Sequence, residues 1–153
     1  MGTREPASEG FTFTPRSLAA SPRQFGKTGA DLKPIDGVNP EDPKFRAAQL
    51  QHRVSNAIRE ALLDRRLSLQ RYLDSLARAS VAGEGQQPEA STQADAGLGP
   101  IRPPGMSYDR TVRILRGETL MQLADVVHWA AAFTEVCFVL ERAIQDASFQ
   151  RLK

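Results

Sequence analysis

A single cysteine, Cys137, excludes an internal disulfide and fits a reducing compartment. No apolar run is long enough to cross a bilayer. The most apolar stretch, Val126–Leu140, is broken by His128, Thr134 and Glu135. After Met1–Gly10, where a secretory leader needs a continuous apolar core, the chain reads FTFTPRSLAASPRQFG. The expected location is therefore the cytoplasm, with no membrane partner. The two histidines, His52 and His128, lie far apart and lack Cys or carboxylate neighbours at ligand spacing, so no metal is expected. No nucleophile–base–acid set and no paired-carboxylate motif is present. The segment Gly26–Asp31, GKTGAD, lacks the first glycine and the preceding strand of a phosphate loop. These absences point away from an enzyme and from a cofactor. A net charge of +2 is too small to name a partner.

What is present is a helical pattern interrupted twice. The 153 residues suffice for one domain with tails. Residues 1–41 read as a flexible N-terminal arm, carrying Pro6, Pro15, Pro22 and Pro34 with no period. Phe11, Phe13, Leu18 and Phe25 are its exceptions, and they leave docking on a partner or on the folded domain open. Residues 80–105, rich in Gly, Pro, Gln, Ser and Ala, have linker composition and read as a disordered insert. The arm and the insert are also places where a protein partner could bind.

Between and after these segments the spacing predicts five helices, an all-α fold. Asp42 and Pro43 suit an N-cap and a first helical position. Ala47, Leu50, Val54, Ala57, Ile58, Ala61 and Leu62 then make one apolar stripe over Lys44–Arg66. Arg46, Arg53, Arg59 and Arg65 lie on the opposite face. A second helix starts after Ser68, with Leu69, Tyr72, Leu73 and Leu76 inward. A short third helix is capped by Ser107 and stopped by Gly117. A fourth is expected from Thr119, whose spacing to Gln122 matches a capping box, with Leu120, Leu123, Ala124, Val127 and Ala131 as its stripe. A fifth helical stretch follows across residues 134–153, either after a subtle break near Phe133–Thr134 or as one bent helix with the fourth. Cys137 reads as a buried hydrophobe, and Trp129 and Phe133 as core or dimer contacts.

Charge is segregated. Lys44–Ala82 holds eight Lys and Arg against Glu60, Asp64 and Asp74, a net of +5. Met106–Gly117 holds three Arg against Asp109, a net of +2. Positive charge on one helical unit is an electrostatic footprint for nucleic acid.

The runs IREALLDRRLSLQRYLDSLA, SYDRTVRILRGE and TLMQLADVVHWA carry a resemblance. Over roughly Val54–Phe133, without the insert, the chain resembles the phage-repressor (Cro-like, XRE) helix-turn-helix family. The insert lies between the two motif helices. The resemblance implies a helix-turn-helix domain over residues 42–133 that binds double-stranded DNA as a transcriptional regulator. Its third helix would enter the major groove. In that register Thr111, Ile114 and Leu115 pack inward. Tyr108, Asp109 and Arg113 face bases, with Val112 also outward, while Ser68, Gln70, Ser107, Arg110 and Arg116 meet phosphate. The fifth helix offers Val136, Val139, Leu140, Ala143 and Ile144, more apolar surface than a small domain obviously covers, and so predicts a homodimer. The rival expectation is a helical protein-interaction module, an adaptor of a transcription or secretion apparatus, whose arginines are only solvated. The long insert favours that rival.

Overall fold

The structure, a computed structural model, describes residues 13–27, 29–84 and 105–150. Most of the expected insert, and the arm's first residues with Phe11, lie outside the described residues. Those described form five α-helices and no strand, apart from an isolated bridge between Ala19 and Pro34. No helix among them is long and apolar enough to cross a membrane.

Helix α1 (Pro43–Asp64) is the axis of the fold. Its start follows from local chemistry: the Asp42 carboxylate accepts the Lys44 N–H at 2.8 Å, and Pro43 needs no partner at the first position. The apolar stripe Val54, Ala57, Ile58, Ala61, Leu62 is buried as its spacing predicts. A second face, Phe45, Ala48, His52 and Ser55, is buried as well.

That second face receives the segment expected to be a loose arm. Residues 13–27 and 29–39 dock on it through a few buried side chains, while most of them stay exposed. They form two single 3-10 turns, Pro15–Leu18 and Pro22–Gln24, and bury Ala19, Phe25 and Leu32 against Phe45 and Ala48. The backbone is satisfied as well as the side chains. The Gly26 N–H donates to His52 Nδ1 at 2.8 Å, which leaves the proton on Nε2 to donate to the Ala30 carbonyl. The Arg16 N–H donates to the Gly117 carbonyl at 3.0 Å. Composition predicts too little apolar surface for this segment. A few large side chains dock it, and His52 takes up two of its backbone groups.

Two glycines permit the close approach. Gly26 and Gly117 both have φ of +72°, and at Gly26 a Cβ would run into the Leu115 carbonyl oxygen. At Gly117 a Cβ would lie 2.6 Å from the Phe25 ring. Gly117→Ala is therefore expected to cost about 2–3 kcal/mol in urea unfolding, from left-handed strain and overpacking together. Gly29→Ala is the control, since Gly29 shares the φ of +72° but has open space around it. Equal losses at both sites would show that Phe25 does not sit on Gly117.

Helix α2 (Leu69–Glu84) starts where Ser68 Oγ accepts the Arg71 N–H at 3.2 Å, and it buries Tyr72, Leu73 and Leu76. Helix α3 (Tyr108–Leu115) buries Thr111, Ile114 and Leu115 and is followed by Gly117 as expected. Helix α4 (Leu123–Ala132) begins later than the Thr119 start that the spacing predicts. Gln122 is the cap residue, and its N–H donates to the Asp125 carboxylate at 2.9 Å. Residues before it are held out of helix by Gln51. The buried amide of Gln51 donates to the Ile114 and Thr119 carbonyls, both at 2.9 Å, and accepts the Met121 N–H at 2.8 Å. The helix does not turn its predicted stripe inward; Ala124 and Ala131 are exposed. Leu123 and Val127, expected inward, are 78% and 60% exposed, while Asp125, His128 and Trp129 are buried.

Tyr72, Trp129 and Phe133 stack at the centre of the core, with ring centroids 5.2–5.7 Å apart. The Tyr72 hydroxyl bonds His128 Nε2 at 2.9 Å, and burial pushes the phenol up to about 12. Helix α5 (Thr134–Gln150) follows at once and packs along α1. Arg65, lying over the Phe133 ring and paired with Glu135 at 3.0 Å, ties the end of α1 to this corner. The hydrogen bond from Arg65 holds the Glu135 carboxyl below its usual value.

The dimer series on α5 is largely used within the chain. Val136 is fully buried, Val139 and Leu140 pack against the core, and Ala143 is half-buried. Of the five, Ile144 alone is well exposed, because α1 covers the rest. Cys137, expected to be buried, is exposed, with its thiol donating to the Ala130 carbonyl.

Candidate nucleic-acid interface

Eight residues are too few for a helix to persist alone, so α3 depends on its caps and its inner face. Ser107 Oγ accepts the Arg110 N–H at 3.2 Å, and Thr111 Oγ1 donates to the Ser107 carbonyl at 2.7 Å. Thr111, Ile114 and Leu115 then fix the rotation of the helix about its axis. That rotation leaves Tyr108, Asp109, Arg113 and Arg116 outward, with Tyr108 45% exposed, and Val112 half-buried at the margin. The three residues expected to face bases therefore share an exposed face.

The expected phosphate contacts divide. Ser68 and Ser107 are exposed at the starts of α2 and α3, each with its oxygen accepting a backbone N–H. Gln70 is exposed and donates to Asp74 at 3.0 Å on its own helix. Arg116 is exposed immediately after α3. Arg110 does not belong with them. Its guanidinium grips the Asp125 carboxylate with two bonds of 2.8 Å, and Asp125 is buried. The fork-to-fork geometry raises the Arg110 pKa, chiefly through that hydrogen bonding. Arg110 locks α3 to α4 and is spent there.

One residue joins this region that the resemblance does not assign. Arg59 on α1 is half-buried, and its Nε is buried with no hydrogen-bond partner. Its pKa is lowered, first by burial and then by the charge of Arg116. The sequence signal for Arg59 is its place in the basic series on α1. Its burial follows from packing, which that series does not show.

Among the described residues no three His, Cys, Asp or Glu side chains gather as a metal site. No protein-family model matches the chain, and no curated protein or solved structure shows significant similarity to it.

Proposed function

We propose that this chain is a sequence-specific DNA-binding regulator that reads the major groove with α3. The observation that carries the reading is the two-sided build of α3. Its inner face and Arg110 are fixed in the core, while Tyr108, Asp109 and Arg113 stand exposed on a rigid outer face. An arginine so placed can bond both acceptors of a guanine edge. Helix α2 packs against α3, as the bracing helix of a helix-turn-helix does. The net positive charge that residues 44–82 and 106–117 keep beyond their ion pairs would attract a duplex.

A dimer joined through α5 has weaker support, because α1 already covers most of the series that suggested it. A second reading, a helical protein-interaction module, is favoured by one observation: Leu123 and Val127 form an exposed apolar pair one turn apart on α4.

Selection of bound duplexes from a random pool tests the first reading. The parent protein is expected to enrich a defined site, with affinity falling steeply as salt rises. Arg113→Ala should change preference at one base position, by about 1–3 kcal/mol, with the fold intact by circular dichroism. Unchanged preference in that variant, or binding that salt does not weaken, would move the interaction module ahead.

A further inference from the structure

We infer that Asp109 is a specificity-determining residue: its carboxylate accepts from the amino group of a cytosine in the major groove, about two base pairs from the guanine that Arg113 bonds. The inference rests on the DNA-binding reading and deepens it.

The placement comes from the build of α3. Thr111, Ile114 and Leu115 are buried, and Asp109 and Arg113, one turn apart, are both exposed. Opposite charges at that spacing can pair on a helix surface. Here they do not: among the described residues neither side chain is in an ion pair. The arginine next to Asp109 in the chain, Arg110, is taken by Asp125 through two bonds of 2.8 Å. Asp109 is thus an exposed carboxylate without a cation, on a helix whose outer face also carries Arg113.

An ionised carboxylate only accepts hydrogen bonds. Beside a duplex it is repelled by every phosphate, so it weakens binding to all sequences unless a base donates to it. The donors that the major groove offers are the amino groups of cytosine and adenine. The adenine amino group lies between two acceptors, its own N7 and the O4 of the paired thymine. The cytosine amino group has an acceptor on one side only, the O6 of the paired guanine. A carboxylate therefore meets less repulsion at cytosine. A guanine or thymine edge at the same place would set acceptor against acceptor, so Asp109 selects by exclusion as much as by attraction. The spacing follows from geometry. Four residues advance a helix by about 6 Å, and successive bases lie about 3.4 Å apart along the duplex.

The test uses the full chain. Duplexes are selected from a random pool with the parent, Asp109→Asn and Arg113→Ala, and affinity is also measured on one duplex of arbitrary sequence. The parent should enrich a guanine and, about two base pairs away, a cytosine. Asp109→Asn should keep the guanine and move the second preference to adenine by about tenfold or more, because an amide donates to N7 and accepts from the N6 amino group. The same variant should bind the arbitrary duplex about twofold or more tighter, since it removes a negative charge. Arg113→Ala should keep the cytosine and lose the guanine. Asp109 also sits in the first turn of α3, where a carboxylate favours the helix dipole. That role alone would lower the melting temperature of Asp109→Asn and leave every base preference as in the parent. Unchanged preferences in Asp109→Asn would overturn the inference and leave the DNA reading standing. A parent that enriches no site would overturn both.

Discussion

Replacing Gln51 with Leu is expected to remove about 3–6 kcal/mol of stability, a large part of the roughly 5–15 kcal/mol that holds a domain of this size. The side chain is buried on α1 and spends both amide hydrogens and its oxygen on backbone groups elsewhere in the chain. Leucine fills a similar volume, so the loss is not a cavity. It is the desolvation of the Ile114 and Thr119 carbonyls and the Met121 N–H, each worth about 1–3 kcal/mol when orphaned. Thr119 is half-buried, so water recovers part of its share. The change should appear as a lower urea midpoint, with α3 and the start of α4 exchanging amide protons first. Gln49→Leu, on the same helix with the side chain half-exposed, should stay within about 0.5 kcal/mol. A loss below about 1 kcal/mol for Gln51→Leu would mean that this amide does not hold the link between α3 and α4.

Arg110→Ala is expected to cost about 3–5 kcal/mol, because it strands a buried carboxylate. Asp125 is shut away from water, and its other bond in the structure is with the Gln122 N–H. Arg110 is the less buried partner, with 26% of its side chain exposed. The two deletions should therefore differ: Asp125→Asn leaves a guanidinium that can turn toward solvent, and should cost less than Arg110→Ala. The same experiment decides the role of Arg110. As a phosphate contact it would lower affinity and salt slope and leave the melting temperature alone. As the pin between α3 and α4 it lowers the melting temperature, and a variant kept folded at low temperature retains the parent's salt slope. Parental stability with a reduced salt slope would restore the phosphate role.

These two residues mark where reading the sequence reaches its limit. Arg110 follows Ser107 at a spacing that puts it on the first turn of α3, and nothing in the local pattern separates it from Arg113. Only the burial of Asp125, a position on another helix, distinguishes the arginine that is used internally from the one left free. Gln51 is a polar residue inside an apolar helix pattern, and an unpaired sequence assigns such a residue to the surface. It is buried because three backbone groups, each from a position more than sixty residues away, converge on it. The start of α4 shows the same thing. Thr119 and Gln122 satisfy the spacing of a capping box, yet the Gln51 amide already bonds the Thr119 backbone, so Gln122 and Asp125 cap the helix three residues later.

The choice between a break at Phe133–Thr134 and one bent helix was left to the structure. Local chemistry by itself determined the all-α class, the caps at Asp42, Ser68 and Ser107, and the stop at Gly117. Each depends on groups within a turn or so of one another, and these meet whatever the rest of the chain does. It also determined the inward trio on α3, and with it the outward side of Tyr108, Asp109 and Arg113. Tertiary structure alone decided that Ala19, Phe25 and Leu32 dock on Phe45 and Ala48, that α5 packs on α1, that Leu123 and Val127 turn outward, and that Arg110 is taken up by Asp125. Apolar spacing shows that a face wants cover; which surface covers it depends on contacts between residues far apart in the chain, and those form only once α1 is surrounded.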